Sequence, residues 1–404
     1  MTPSPSRPSS LWLTALTAVV AGLAVTGCGP PRRQAPPSGQ LFYPPPPASP
    51  RVQYLAAING AWDVVPPRMG LARLVFGKGD ERTESKVLQR PYGIAAWKGK
   101  LYVCDTGAGD VKIFDLNQRT SGHLDGRRAG LSAPTNLCID EAGYKFIVEP
   151  FRQRIHAYGP DDQYVTSFII EDGRPADCAV LGDELFVTDI TGHRVLVLDR
   201  STGKVLRTLG KKGAEAGQFS RPTAIAADGE GALYLTDLMN FRFQKVNRAG
   251  KSLMAAGRAG DAYGAFARPR GIAVGPDGII YVVESVYEVV QMFNQEGQVL
   301  MGFGHSPAAP AFLELPAGIA IDTSCMPYFQ QYMDPRFEAD YLVFVVSQVG
   351  KARIGVYAFG RLRPGAQMPT APEVPQRTPA DRQDGPAPPT APSPEPSGPR
   401  PSES

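Results

Sequence analysis

An all-β propeller of six four-stranded blades, closed by an N-terminal strand, is the fold this sequence predicts. Three observations predict it. A Pro-headed apolar segment recurs six times. Each recurrence leads through a turn to a short apolar strand that ends in a polar residue. Pro-rich stretches flank the repeating region on both sides. Several short strands per forty-odd residues, repeated along a chain, is the signature of a propeller.

The segments read PYGIA at Pro91, PTNLC at Pro134, PADCA at Pro175, PTAIA at Pro222, PRGIA at Pro269 and PAGIA at Pro316, at intervals of 43, 41, 47, 47 and 47 residues. The second strands are LYVCD, KFIVE, LFVTD, LYLTD, IYVVE and VFVVS, ending at Asp105, Glu149, Asp189, Asp237, Glu284 and Ser347. Third strands such as RVLVLD from Arg194 and fourth strands such as KVLRTLG from Lys204 follow. The strands are apolar on both faces, as blades packed against blades require; an open sheet with one wet face alternates more cleanly. After blade six the chain turns Pro-rich without a fourth strand. VQYLAAING (52–60) has the fourth-strand pattern and is expected to complete blade six, hiding an open sheet edge.

The flanks divide the chain into a signal peptide (1–27), a Pro-rich tether (28–50), the propeller (51–363) and a disordered Pro-rich tail (364–404). Residues 11–25 are apolar but shorter than the roughly 20 residues of a membrane span, and suit a signal-peptide core. Val25-Thr26-Gly27-Cys28 resembles the lipobox of bacterial lipoproteins. That resemblance implies cleavage before Cys28, acylation including palmitate, and a protein held to the membrane by lipid rather than by a span. Gly29 follows, not Asp, which by analogy with Gram-negative sorting favours the outer membrane. The tail holds 13 prolines and almost no bulky apolar side chains, too little to bury for folding.

The 42 basic and 39 acidic residues nearly cancel, to +3, which excludes a dedicated nucleic-acid binder. There are only four His, and neither CxxC nor CxxCH occurs, so no metal, covalent haem or other cofactor is expected. GKKGAEAGQFSRPTAIAADGEGALYLTD and the preceding DITGHRVLVLD are similar to NHL repeats, a family of propellers that are often six-bladed. The likeness covers about residues 52–360. It is specific in blades three to five and looser elsewhere.

Several residues stand out as candidate sites. Arg precedes the blade-start Pro in four repeats, at Arg90, Arg174, Arg221 and Arg268, and Arg270 follows Pro269. Loops leading into inner strands share one end of a propeller, so these guanidiniums are expected around one channel mouth, suited to carboxylate or phosphate. The second-to-third-strand turns lie at the same end and hold Phe151, Arg152, His193, Met239, Asn240, Phe241 and Tyr287. Exposed aromatics beside Arg resemble interface hot spots. The pairs Glu149/Arg154, Asp189/Arg194 and Asp237/Arg242 face each other across a turn and read as structural ion pairs. Cys138 and Cys178 fall on neighbouring inner strands and read as buried free thiols, with pairing left open. An aromatic insertion in blade six (323–339) is a further candidate binding element.

Two function classes remain. The first is a lipid-anchored scaffold, monomeric, whose propeller face binds an envelope protein or an anionic ligand. The repeat and the final YLVFVVSQVGKARIGVYAFG are similar to propeller lipoproteins of bacterial multihaem cytochrome systems. The second is a metal-dependent lyase or lactonase, because related six-bladed propellers hold a divalent metal near the channel. Asn136 and Asp177, with Asp140, Asp228, Asp277 and Asp322 in the following turns, are the donors such a site would draw on. His123, His156, His193 and His305 occupy non-equivalent repeat positions.

Overall fold

The computed structural model describes residues 41–45, 47–66, 87–305 and 312–367. Cys28, the signal peptide, most of the tether and the tail beyond residue 367 lie outside the described residues. Six antiparallel sheets surround a central channel. Blade one is Pro91–Trp97, Lys100–Asp105, Asp110–Asp115 and Thr120–His123; blade two is Asn136–Ile139, Lys145–Glu149, Arg154–Tyr158 and Tyr164–Ile169. Blade three is Pro175–Leu181, Glu184–Asp189, Arg194–Asp199 and Val205–Leu209. Blade four is Pro222–Ala227, Leu233–Asp237, Arg242–Val246 and Ser252–Ala256; blade five is Pro269–Val274, Ile280–Glu284, Val289–Phe293 and Val299–Phe303. No helix among the described residues is long and apolar enough to cross a membrane.

Proline heads the inner strand because a strand's first residue can go without a ladder donor. Its partner is the last residue of the second strand: Pro91 faces Asp105, Pro175 faces Asp189, Pro222 faces Asp237, Pro269 faces Glu284 and Pro316 faces Ser347. A register shift follows each of these prolines at once. The bulge turns the strand there, as bulges do where a side chain must be re-aimed.

The core lies between blades. Phe243 of blade four, Phe293 of blade five and Phe266 in the loop joining them pack with ring centroids 4.9 to 6.3 Å apart. Second strands are buried along their length, which is why they carry no polar alternation.

Blade six closes the ring. Val52–Ile58 pairs antiparallel with Ile354–Leu362, Val52 facing Phe359 and Ile58 facing Ile354, outside Phe337–Ser347 and the inner strand Pro316–Asp322. One element departs from the expected tether. Phe42–Tyr43 adds a fifth strand to this blade, with Phe42 facing Gln53. Phe42 packs on Phe337 and Tyr43 on Phe303, at 5.7 and 6.1 Å between centroids. Burial of these two rings outweighs the poor strand propensity of the prolines around them.

The aromatic insertion has a packing role in the ring. It forms a short helix, Met326–Phe329, and a 3-10 turn, Gln330–Tyr332. It follows the inner strand, so it stands at the end opposite the Pro-headed loops. Phe329 is buried against Phe344 at 5.8 Å, Ser324 Oγ accepts the Gly99 N–H at 2.8 Å, and Tyr328 donates to the Asp63 carbonyl at 3.2 Å. Phe329 therefore fills the join between blades six and one, with Tyr328 and Tyr332 packed partly buried beside it.

Candidate functional site

One device recurs at the Pro-headed end. The terminal acid of the second strand is fully buried and accepts backbone N–H groups of the loop leading into the inner strand. Asp105 takes Gln89 and Arg90, both at 2.8 Å; Glu149 takes Ser132 and Ala133, both at 2.9 Å. Asp189 takes Arg174 at 2.9 Å, Asp237 takes Ser220 at 2.6 Å, and Glu284 takes Arg268 at 2.8 Å. Ser347 does the same in blade six, its Oγ accepting the Glu314 N–H at 3.2 Å. Proline offers no N–H, so the residues just before it supply the donors. The acids are thus chosen for the loops, and in blades one, three, four and five each holds the residue bearing the Arg, or its neighbour.

The turns between second and third strands tie neighbouring blades together at four of the joins on this face. Thr106 donates to the Pro134 carbonyl at 2.8 Å, Gln153 to Gly173 at 2.7 Å, His193 Nδ1 accepts the Arg221 N–H at 3.1 Å, and Glu288 accepts the Leu315 N–H at 3.2 Å. Each contact runs from one blade to the next. His193 is therefore committed to holding a loop.

Of the three expected ion pairs, Asp189 and Arg194 meet at 3.1 Å, and Asp237 and Arg242 at 3.0 Å. Glu149 and Arg154 do not form theirs. Glu149 instead bonds His156 Nε2 at 3.0 Å, and His156 Nδ1 bonds Ser167 Oγ at 2.7 Å, while Arg154 is exposed. The reason lies on the third strand, where buried His156 already supplies a polar partner to the carboxylate. Burial pushes the His156 pKa down, so it serves Glu149 as a neutral donor.

Arg90, Arg221 and Arg268 are exposed. The Arg174 guanidinium lies over the Phe151 ring at 4.5 Å. Arg152 donates to the Gly130 carbonyl at 2.6 Å, which fixes it within blade two. Phe241 packs partly buried beside the Phe243 cluster, and Tyr287 is half-buried, so neither projects as Phe151 does. Arg270 leaves the loop face altogether. The bulge after Pro269 aims it into the channel, where Nη1 donates to the Tyr92 hydroxyl of blade one. Its Nε is buried and finds no partner among the described residues.

Sequence reading missed part of this face. Two residues after each terminal acid stand Phe151, Met239, Val286 and Val349 in blades two, four, five and six, 72, 51, 52 and 41% exposed. The same position in blades one and three is Gly107 and Thr191. Aligning the repeats on the acid finds all six at once.

The channel holds a cavity of about 270 Å³. Its wall explains the second residue after each blade-start Pro: Gly93, Asn136, Asp177, Ala224, Gly271 and Gly318. A Cβ on Gly271 would stand 2.5 Å from the Ala317 carbonyl oxygen, and one on Gly318 2.3 Å from that of Tyr92. Where a side chain is present it bridges blades: Asn136 donates to the Ala176 carbonyl at 3.0 Å, and Asp177 Oδ2 accepts the Ile225 N–H at 3.1 Å. Burial pushes the Asp177 carboxyl up to about 7.

These donors do not fit a divalent metal. Both Asp177 oxygens already accept N–H groups, Oδ1 that of Cys178 at 2.9 Å and Oδ2 that of Ile225 at 3.1 Å. Asp140, Asp228, Asp277 and Asp322 cap turns at the far end, accepting Tyr144, Ala232, Ile279 and Cys325 N–H groups. Among the described residues no group of three or more His, Cys, Asp or Glu side chains converges at metal-binding distance. His123 and His305 are exposed and apart from His156 and His193.

The chain is a six-bladed β-propeller, and solved structures share that fold. A streptogramin B lyase structure has 16% identity over 67% of this chain and 83% of its own, with a TM-score of 0.47. A Bacteroides thetaiotaomicron protein of unknown function has 13% identity over 76% and 75%, with a TM-score of 0.52. Hydrazine synthase of Kuenenia stuttgartiensis has 12% identity over 66% and 82%, with a TM-score of 0.46. At these identities the likeness is one of fold. No family model matches the chain.

Proposed function

We propose that this chain is an NHL-type propeller lipoprotein, anchored through Cys28 in the outer membrane of the bacterial envelope, and that its loop face docks a partner protein. The observation that carries the reading is the apolar set Phe151, Met239, Val286 and Val349, exposed at one repeat position and interleaved with Arg90, Arg174, Arg221 and Arg268. Scattered exposed apolar residues are ordinary, but four at equivalent repeat positions of one face, three of them in the consecutive blades four, five and six, are a repeated presentation. Aromatic and Arg side chains are the usual anchors of interfaces. The fitting partner presents carboxylates around an apolar centre. A partner from a multihaem cytochrome system is one form this reading takes.

The test is purification of the tethered protein from gently solubilised membranes, with identification of what co-purifies in stoichiometric amount. R221E/R268E and F151A/M239A variants are expected to arrive alone while keeping the wild-type melting point. A partner retained by both variants rejects the loop face as the docking site.

A second reading, a small-molecule lyase or lactonase, draws on Asp177 and Arg270 in the channel wall. A carboxyl titrating near neutrality suits proton transfer, and a guanidinium with a free Nε suits a substrate carbonyl oxygen. Under it, D177N and R270Q abolish turnover of a channel-bound ester or lactone and leave partner docking intact.

A further inference from the structure

Cys138 lies on the inner strand of blade two and Cys178 on that of blade three, 40 residues apart in sequence, and both line the channel cavity. Their sulfur atoms are 2.6 Å apart, with no bond between them. Unbonded carbon atoms settle at about 3.5–4.0 Å and sulfur is larger than carbon, whereas a disulfide measures about 2.05 Å. Two thiols have no stable reason to remain this close. The approach is built into the wall: the Asn136 amide straps the same two strands through the Ala176 carbonyl at 3.0 Å. Cys178 Sγ is held from behind, 3.4 Å from the Phe146 carbonyl. The other two described cysteines, Cys104 and Cys325, are buried in separate places.

We propose that Cys138 and Cys178 form a disulfide that joins blades two and three at the channel wall, made by exchange with a dithiol–disulfide oxidant. The Cys138 thiolate attacks the oxidant's S–S bond and expels one thiolate. The Cys178 thiolate then attacks the mixed disulfide and expels the second. Two electrons pass to the oxidant, and the two cysteine protons end on its two released sulfurs. Burial pushes both thiols up, and the neighbouring Asp177 charge pushes them further, so exchange belongs to the open chain before the blades close. Once formed, the bond is reached only through the channel. This inference is independent of the docking-face reading. It gives the ring a covalent tie far from the strand that closes it at blade six, and it converts a side-chain contact between blades into a fixed one.

The test uses the full mature chain, refolded in a buffer of oxidised and reduced glutathione, then unfolded and alkylated without reductant. The expected result is alkylation of Cys104 and Cys325, and of Cys28 where it carries no acyl chain, but of neither Cys138 nor Cys178, with an intact mass about 2 Da below that of the reduced chain and a proteolytic peptide pair linked through Cys138 and Cys178. Reduction should lower the melting temperature by roughly 5 °C, since a loop of this length is released in the unfolded state. A C138S/C178S variant should melt with the reduced protein and lose its response to reductant. Alkylation of Cys138 and Cys178 after the glutathione refolding overturns the proposal, whatever the melting temperature. A link from either residue to Cys104 or Cys325 overturns it equally.

Discussion

Glu284 Oε2 accepts the backbone N–H of Arg268 at 2.8 Å, from the far end of the neighbouring strand. The acid and the arginine of one repeat are therefore joined through the main chain. The guanidinium stays free for the surface, and the carboxylate is spent on the fold. Glu284→Ala would strand the Ala267 and Arg268 N–H groups beside a buried hole. A loss of roughly 2–4 kcal/mol is expected, read by urea unfolding. Glu284→Gln keeps one acceptor and should lose less than half of that. Equal losses in the two variants would show that the carboxylate's volume, not its bonds, holds the loop.

Glycine at the channel wall is required by distance. Ala at position 318 would bring its Cβ against the Tyr92 carbonyl, and Ala at 271 against that of Ala317. Backbone is the obstacle in both, so no rotamer change relieves it. Gly318→Ala and Gly271→Ala should each cost about 1–3 kcal/mol. Ala224→Gly, at the equivalent wall position of blade four, should cost no more than about 1 kcal/mol. A melting series of the three variants checks the order.

Two carboxyls of blade three titrate in opposite directions. Burial tends to raise Asp189, but N–H bonds from Gly192 and Arg174, with Thr191 and Arg194, outweigh it and hold the pKa below its ordinary value. Its contribution to stability is complete above the unfolded value near 3.8 and disappears as pH falls through the lower folded one. Asp177 is pushed up by burial to about 7. Between about pH 4 and 7 the folded state holds a proton there that the unfolded chain has released, so this group makes the protein less stable as pH rises. Asp177→Asn should flatten that slope, and the variant should gain on the order of 2 kcal/mol relative to wild type between pH 5 and pH 8, the partial exposure of Asp177 to the channel trimming the full effect. Stability curves in urea at the two pH values decide it; a parallel shift at both would mean that Asp177 is ionised throughout.

Much of this was legible because propeller repeats repeat their physics. Pro91, Pro222 and Pro269 stand where a strand start tolerates the missing donor, so the motif announces the inner strand. The acid at Asp105, Glu149, Asp189, Asp237 and Glu284 is legible too, and spacing finds its partner in two of three pairs, Asp189 with Arg194 and Asp237 with Arg242, but not its bonds to the main chain. Arg194 and Arg242 stand opposite it in register, and only coordinates show that the main-chain donors come from the preceding loop. Glu149 shows the limit of register arguments: Arg154 faces it, and His156, two residues on, takes the bond. Arg270 was read with the mouth because the sequence has no sign of the bulge that turns it toward Tyr92. Phe42–Tyr43 went unread because Pro-rich composition masks two rings whose value is set by Phe337 and Phe303, hundreds of residues away.

The closing strand carries the last expectation. Val52–Ile58 pairs with Ile354–Leu362, and Leu55 is buried among blade-six and blade-one side chains. Leu55→Ala should cost about 2–5 kcal/mol by leaving a cavity in that cluster. Leu55→Asp should do more, because a carboxylate cannot be buried there unpaired and the strand would lift off. The edge of Ile354–Leu362 would then present a row of unpaired backbone groups. The L55D chain should therefore elute as aggregates in size-exclusion chromatography, while L55A elutes with wild type and melts earlier. A monomeric L55D with wild-type melting would show that blade six is stable with three strands, and that the ring does not depend on its N-terminal strand for closure.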